Sequence, residues 1–523
     1  MTAGGPASGE PARAAVTAAV GSRGFWDRVA EWIRTRPGSV LAWVLVLHFL
    51  IWTFLPLFVS HNLRLDLVED LALGKEWQLG YWKHPPLPWW FADAFYRVIP
   101  DVRVVYALGS LSTVVCLWAI WRLGCMVVSR ECALLAVLAL EGTHFYNYSA
   151  VMYAHDQCQL PFWALTGWFV YRAITAQRPL DWILSGAVLA GAFWSKYAAI
   201  VLAVTVFLVL VLDPTARKAW RTAGPYLMGL SFAVVIAPQA WWLVTTGFQP
   251  FEYVDHRAIT ATHWYHYIWF PLRWAGSQVG SIALTLALLV ILVVPPLLRT
   301  GFPGDQGFAR RYVTALALGP FILMTLFSLS AGRSLHSMWG YPLWGFAPLA
   351  ILMWLVPHFE PTSRRLQWFA VAFVGIFAMF PVAYAANIFA VPLVSDREHA
   401  EQFPGRLLAE TVTRAFKERT QGPLFYVAGT EFAANNVAVY GEDRPRVVVH
   451  GDLKRSPWID PKDLSRRGAI IVLTPGLVSN KMRDDLSRLF PGAEFQQPLL
   501  LPRGTLVART PFKIEWAIVP PQR

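Results

Sequence analysis

Charge is what this sequence has least of. Asp, Glu, Lys and Arg make up 15% of its 523 residues, against about 25% in a typical soluble domain. Cysteine is scarce too. The four present (Cys116, Cys125, Cys132 and Cys158) lie in or beside apolar runs without metal-ligand spacing, which argues against a disulfide framework or a zinc site and leaves the redox compartment open. The first residues lack an apolar region with a cleavage site, so 1–37 read as a disordered cytoplasmic tail, with the first span as an uncleaved anchor.

Apolar and aromatic residues fill the space that charge leaves. The chain is 55% hydrophobic and 15% aromatic, with 26 Trp, and its mean hydropathy is +0.41. Apolar runs fall near 40–59, 103–121, 133–150, 157–174, 182–195, 197–212, 223–244, 279–298, 312–330, 338–357 and 367–391. Each approaches the roughly 20 residues that cross a bilayer as a helix, so the expectation is a polytopic α-helical membrane protein with about eleven spans. Tryptophan suits the interfacial belts of such a protein. A net charge of +12 would suggest nucleic acid in a soluble chain. Here Lys and Arg fall between the apolar runs, so topology explains them and no nucleic-acid partner is expected.

Alternate connections collect the basic residues: Arg23 to Arg36, Arg122 and Arg130, Arg172 and Arg178, Arg217 to Arg221, Arg299 to Arg311, and Arg364 with Arg365. The positive-inside rule makes these cytoplasmic. Residues 182–212 are interrupted by Ser195-Lys196-Tyr197. Two short helices meeting at Lys196 preserve the charge alternation, whereas one long helix breaks it. The outer face then receives loop 60–102, the turn at 151–156, the Lys196 turn, loop 245–278, the turn at 331–337 and everything after about 392. Past that point PLFYVAG, RVVVHG and GAIIVLTPG read as short strands alternating with helices. The domain reading is therefore a membrane domain over 38–395 and a small extracytoplasmic α/β domain over 396–523. No Gly-rich phosphate loop, nucleophile elbow or metal cluster stands out in the latter.

Polar residues at a membrane edge are costly and tend to mark sites. The segment LRLDLVEDLALGKEWQLGYWKHPPLPWW, residues 63–90, places Asp66, Glu69, Asp70, Lys83 and His84 there, among Trp77, Trp82, Trp89 and Trp90. Asp156 in MYAHDQCQ, Lys196, Arg333 and His336 fall on the same face. So do Asp255, His256, Arg257, His263 and His266 of YVDHRAITATHWYHYIWF. Plainer roles compete for each: a helix cap for Asp66 or Asp156, a solvated helix face for Glu69 and Asp70, snorkelling for Lys196, an interfacial loop for Arg257 and His263.

Asp66 followed by LGYWKHPPLPWW resembles the first external loop of GT-C glycosyltransferases, in the protein-mannosyltransferase and aminoarabinose-transferase-like superfamily. GAFWSKYAAIVL (191–202) and GRSLHSMWGYPLW (332–344) are similar to further pieces of that family. The resemblance spans roughly 40–350. It implies a GT-C-like membrane domain that moves a sugar from a polyprenyl-phosphate donor to an acceptor on the outer face of a bacterial inner membrane. The acceptor expected is an envelope glycolipid such as lipopolysaccharide, or another surface glycan, with protein as the nearer alternative.

The family's catalytic Asp carries over to Asp66, the candidate general base. Its second acid is replaced here by Leu67, and Glu69, one turn on, shares the face of Asp66 and is the candidate substitute; Asp156 is a further candidate acid. Where aminoarabinose transferases place an acidic residue that helps hold a metal, this chain has Lys83 and His84. No zinc is therefore expected; a divalent metal remains open but is not predicted, and no other cofactor is assigned. A departing phosphate calls for preorganised cations, and Lys83, His84, Lys196, Arg333 and His336 are the candidates, with Arg257 and His263 as acceptor or lid residues. A transporter or flippase of lipid-linked intermediates is the competing class. It should show an internal repeat and mid-membrane charge, whereas here the polar residues gather at one interface. A non-catalytic scaffold would tolerate loss of Asp66.

Overall fold

The computed structural model describes residues 24–300, 307–355, 361–505, 507 and 509–522. Residues 1–23 of the expected disordered tail lie outside them. The rest of that stretch departs from the expectation: Phe25–Thr35 is a helix, α1, whose first turn is closed by Asp27 accepting from the Gly24 amide at 3.0 Å. Ala30 and Ile33 on its inner face are buried, and that apolar stripe is what holds it against the membrane helices.

The helices that follow are α2 (Pro37–Val59), α3 (Leu65–Gly74), α4 (Leu87–Val98), α5 (Val104–Val127), α6 (Arg130–Leu140), α7 (His155–Ala176), α8 (Pro179–Ser195), α9 (Ile200–Leu212), α10 (Gly224–Thr245) and α11 (Gln249–Arg257). After them come α12 (His266–Ser281), α13 (Ala283–Thr300), α14 (Phe308–Ala331), α15 (Ala347–Leu355), α16 (Ser363–Phe389) and the short α17 (Val391–Val394). Every one of the eleven apolar runs carries helix, but the count of eleven spans is not what the described residues show. Five segments are long and apolar enough to cross a membrane: α2, α5, α10, α14 and the continuous α16–α17. The pair α12 and α13, bent by 61°, would make a sixth.

The shortfall has local causes. The run at 133–150 stops being α-helical at Leu140, because Asn147 turns back and donates to both the carbonyl and the carboxylate of Glu141. The run at 338–357 begins with a 3-10 turn at Ser337–Gly340 and resumes as α15 only after Pro342 and Gly345. The run at 182–212 does break at Lys196, whose extended backbone (φ −160°, ψ 134°) separates α8 from the helical turn leading into α9.

The C-terminal part is α/β: α18 (Gly405–Thr420), β1 (Tyr426–Gly429), α19 (Glu431–Tyr440), β2 (Arg446–Val449), α20 (Pro461–Arg467), β3 (Ala469–Leu473), α21 (Asn480–Leu489), β4 (Glu494–Phe495), β5 (Leu499–Leu501) and β6 (Phe512–Val519). Strand order is β2-β1-β3-β6-β4, with β5 also on β6. β1 pairs parallel with β2 and β3, and β6 runs antiparallel to β3. The parallel strands are covered on both faces, which is why YVAG and AIIVL read as continuous apolar runs. This unit does not stand apart. Leu67, Leu71, Tyr81 and Trp89 of the first loop share one apolar core with Val427, Ala433, Val437 and Ile470, and α19 lies directly against α3.

Candidate active site

The loop between α2 and α5 folds as two short helices joined by the HPP corner. Pro85 and Pro86 fix the backbone ahead of α4 and leave few amides unsatisfied at its start. Arg64, in extended conformation, precedes α3, so Asp66 is not the cap. It occupies the first turn of α3, where a carboxylate meets the positive end of the helix. Its side chain is exposed, whereas Glu69 and Asp70 turn inward and are buried.

Opposite Asp66 stand the first residues of α7 and the break before α9. Lys196 donates to Asp156 Oδ1 at 2.5 Å, and Gln159 donates to the same oxygen at 3.2 Å. Asp66 lies within electrostatic reach of Asp156 and of Asp70. Tyr341, from the GYPLW segment before α15, is within reach of both Asp66 and Asp156. The structure thus brings Asp66, Asp156 and Lys196 together. The anionic partner that a solitary Lys196 requires is Asp156.

His84 enters the same rim. Its ring lies 3.8 Å from that of His155 at the head of α7 and 5.6 Å from that of Tyr253 on α11. Burial, followed by the charges of Lys83, Lys196 and Arg257 among its neighbours, pushes the His84 imidazole well below its ordinary value, so at neutral pH it is uncharged. A neutral imidazole offers one donor and one acceptor and contributes no net charge toward a phosphate.

Two expected assignments change. Lys83 does not face an open anion site. It is buried between Glu69 at 2.6 Å and Glu431 at the start of α19. Glu69 is therefore no second acid beside Asp66; it is the inner half of a Glu–Lys–Glu clamp joining the first loop to the α/β unit. Burial and the Glu431 charge push Glu69 well up, against the pull of Lys83. Burial also acts to raise Glu431, but the Lys83 charge and hydrogen bond outweigh it and hold Glu431 low. Burial acts to lower Lys83, and the two carboxylates overcome it. Two buried carboxylates thus share the single cation Lys83, with Glu69 pushed up and Glu431 held down. A second seam lies beside it: Lys75 donates to the carbonyls of Arg444 and Pro445 at 2.6 and 2.7 Å, and Arg446 pairs with Glu76 at 2.6 Å.

Arg333 and His336 are also engaged elsewhere. Arg333 pairs with Asp255 and donates to Thr260 Oγ1 at 2.5 Å, and His336 donates to the Arg257 carbonyl at 3.2 Å. Both secure the C-terminal end of α11, whose Tyr253 packs on Trp82 at 5.1 Å. They reach the site through α11, as a brace. Arg257 itself is exposed, and its charge acts on His84. His263 is exposed and stacked against Tyr265 at 5.4 Å, with no contact to the Asp66 group among the described residues. The side chain of His256 lies outside the described residues. Among those described, no group of three or more His, Cys, Asp or Glu could hold a metal ion.

Residue-by-residue reading missed Glu431, Tyr253, His155 and Tyr341. Glu431 alone had a usable signal: it follows the C-terminal end of a parallel strand, the edge of an α/β sheet where functional groups tend to gather.

Residues 83–242 match the family model described as dolichyl-phosphate-mannose-protein mannosyltransferase. The matched stretch contains Lys83, His84, Asp156 and Lys196 and begins after Asp66. It agrees with the GT-C superfamily resemblance of the first loop. Two crystal structures of the Archaeoglobus fulgidus oligosaccharyltransferase align with this chain. The apo form aligns with 78% of this chain at 11% identity and a TM-score of 0.42. The form tethered through a disulfide to an acceptor peptide with the NVT sequon aligns with 80% at 10% identity and a TM-score of 0.40. The chain spans 64% of the length of each. No curated protein matches.

Proposed function

We propose that this multi-pass membrane protein is a glycosyltransferase that takes a sugar from a polyprenyl-phosphate donor and passes it to an acceptor hydroxyl on the outer face of a bacterial inner membrane. The observation that carries the reading is the position of Asp66, an exposed carboxylate beside the buried Asp156–Lys196 pair. Asp66 takes the acceptor proton as the new carbon–oxygen bond forms and the sugar–phosphate bond breaks. The phosphate leaves as an anion near Lys196, which Asp156 holds in place, with the exposed Arg257 adding positive charge at the rim. Asp156 fixes Lys196, and His84, neutral and wedged between His155 and Tyr253, orients the reacting groups.

An envelope glycolipid is the favoured acceptor. The family description names protein mannosyltransferases, so a protein hydroxyl is the second reading. The basic connections between apolar runs support an outward-facing site, with the α/β unit on the same side.

The test is Asp66→Asn in the full chain, with envelope lipids and glycoproteins profiled by mass spectrometry in a deletion strain complemented by either form. Wild type restores a sugar-bearing species, and the Asn variant is expected to leave it absent at equal membrane abundance and thermal midpoint. Near-normal restoration by the variant removes Asp66 as the base.

A further inference from the structure

A second polar cavity, of about 660 Å³, lies at the outer ends of α2 and α5, between the first loop and the α/β unit. Its lining is unusually cationic for a place so close to apolar helix ends. Arg103, Arg406 and Arg444 converge on it, together with Tyr96, Tyr106 and Tyr440. Arg103 is neutralised by Asp101 at 2.6 Å, and Glu442 is taken by Lys417. Among the described residues, neither Arg406 nor Arg444 has a carboxylate partner.

Both guanidinium groups are nevertheless held in place. Arg406 lies over the ring of Tyr440 at 5.6 Å and Arg444 over that of Tyr96 at 4.1 Å. The Nε of Arg444 is buried with no hydrogen-bond partner. Tyr440 is fixed in turn, because its hydroxyl accepts from the Leu63 amide at 3.2 Å. Arg444 also donates one Nη to the Leu71 carbonyl at 3.5 Å, which leaves its other Nη and the exposed guanidinium of Arg406 to hydrogen-bond an oxyanion, as suits phosphate. The surroundings add a second requirement. Phe58 and Val98 are each 81% exposed, and Ile99 is 53% exposed, beside the cavity mouth. Phe58 stands at the end of the membrane helix α2, where an exposed aromatic faces lipid, and Val98 and Ile99 extend that apolar fringe from the end of α4.

We infer that this cavity binds the phosphate group of a membrane lipid, with Arg406 and Arg444 on the phosphate and the Phe58–Val98–Ile99 fringe against its chains. The site is separate from the Asp66 rim. Its ligand need not react, so the inference does not depend on the proposed transfer.

Native mass spectrometry of the detergent-solubilised full chain tests it. Phosphatidylglycerol should bind at least about tenfold more tightly than diacylglycerol, which lacks the phosphate, as two charge-assisted contacts imply. The double variant Arg406→Ala, Arg444→Ala should lose that preference, while Arg419→Ala with Arg466→Ala, which removes equal charge elsewhere, should keep it. If the first variant does not fold, Arg406→Gln alone, at an exposed position, should weaken the preference severalfold. Equal binding of both lipids by wild type, or an unchanged preference in the Arg406 and Arg444 variants, overturns the inference. Displacement of the lipid by millimolar inorganic phosphate also overturns it, since that assigns the cavity to free phosphate.

Discussion

At the scale of single residues, the two glutamates of the clamp should behave differently although both touch Lys83. Burial pushes the Glu69 carboxyl up, so Glu69→Gln removes the cost of burying a carboxylate and is expected to leave stability at neutral pH unchanged or raised. Glu431 is the ionised partner. Glu431→Gln leaves Lys83 with Glu69 alone as its counter-ion, at a cost of about 1–3 kcal/mol for the lost charged hydrogen bond, read as a lowered thermal midpoint. The pH dependence separates them further. A carboxylate held low in the folded state, such as Glu431, stabilises fully above its unfolded value and loses that contribution as pH falls through its folded value. Glu69, held high, contributes at low pH and loses its contribution as pH rises through its folded value. Acid sensitivity below about pH 4 should therefore flatten in Glu431→Gln and persist in Glu69→Gln. Lys196 acts at the reacting phosphate in the proposed mechanism. Lys196→Ala should raise the donor KM at least about tenfold and leave the acceptor KM within about twofold, a split that mere loosening of the fold does not produce; equal changes in both would take Lys196 away from the donor.

At the scale of elements, close backbone approach decides where the first loop can change. A Cβ added at Gly74, at the end of α3, would lie 2.3 Å from the carbonyl oxygen of Trp89 on α4. Gly74→Ala should force the two helices apart and cost about 1–3 kcal/mol, whereas Gly229→Ala in α10, with nothing within 4 Å, should be silent in the same melting assay. These helices also show how far the sequence could be read. Ser195-Lys196-Tyr197 announced the break between α8 and α9, because an isolated charge in an apolar run acts locally. The run at 133–150 misled, since its apolar composition hides the Glu141–Asn147 contact that turns the chain. The role of Lys83 was beyond reach for a related reason. Its spacing resembles a phosphate-binding corner, but its charge is satisfied by Glu431, 348 residues further along the chain, and no local period encodes such a pairing.

At the scale of the whole molecule, the α/β unit and the first loop form one folding unit. A chain ending at residue 395 would expose Leu67, Leu71 and Trp89, now fully buried against the unit. It is expected to aggregate on solubilisation, seen as void-volume elution in size-exclusion chromatography; a monodisperse truncated chain would show that the membrane part holds its loop unaided. The long reach from Lys83 to Glu431 also sets a timetable. A ribosome adding about 5–20 residues per second needs roughly 17–70 s to travel those 348 residues. Throughout that interval the nascent loop lacks Glu431 and its apolar cover, so Leu67, Leu71 and Trp89 stay unshielded until translation has nearly finished.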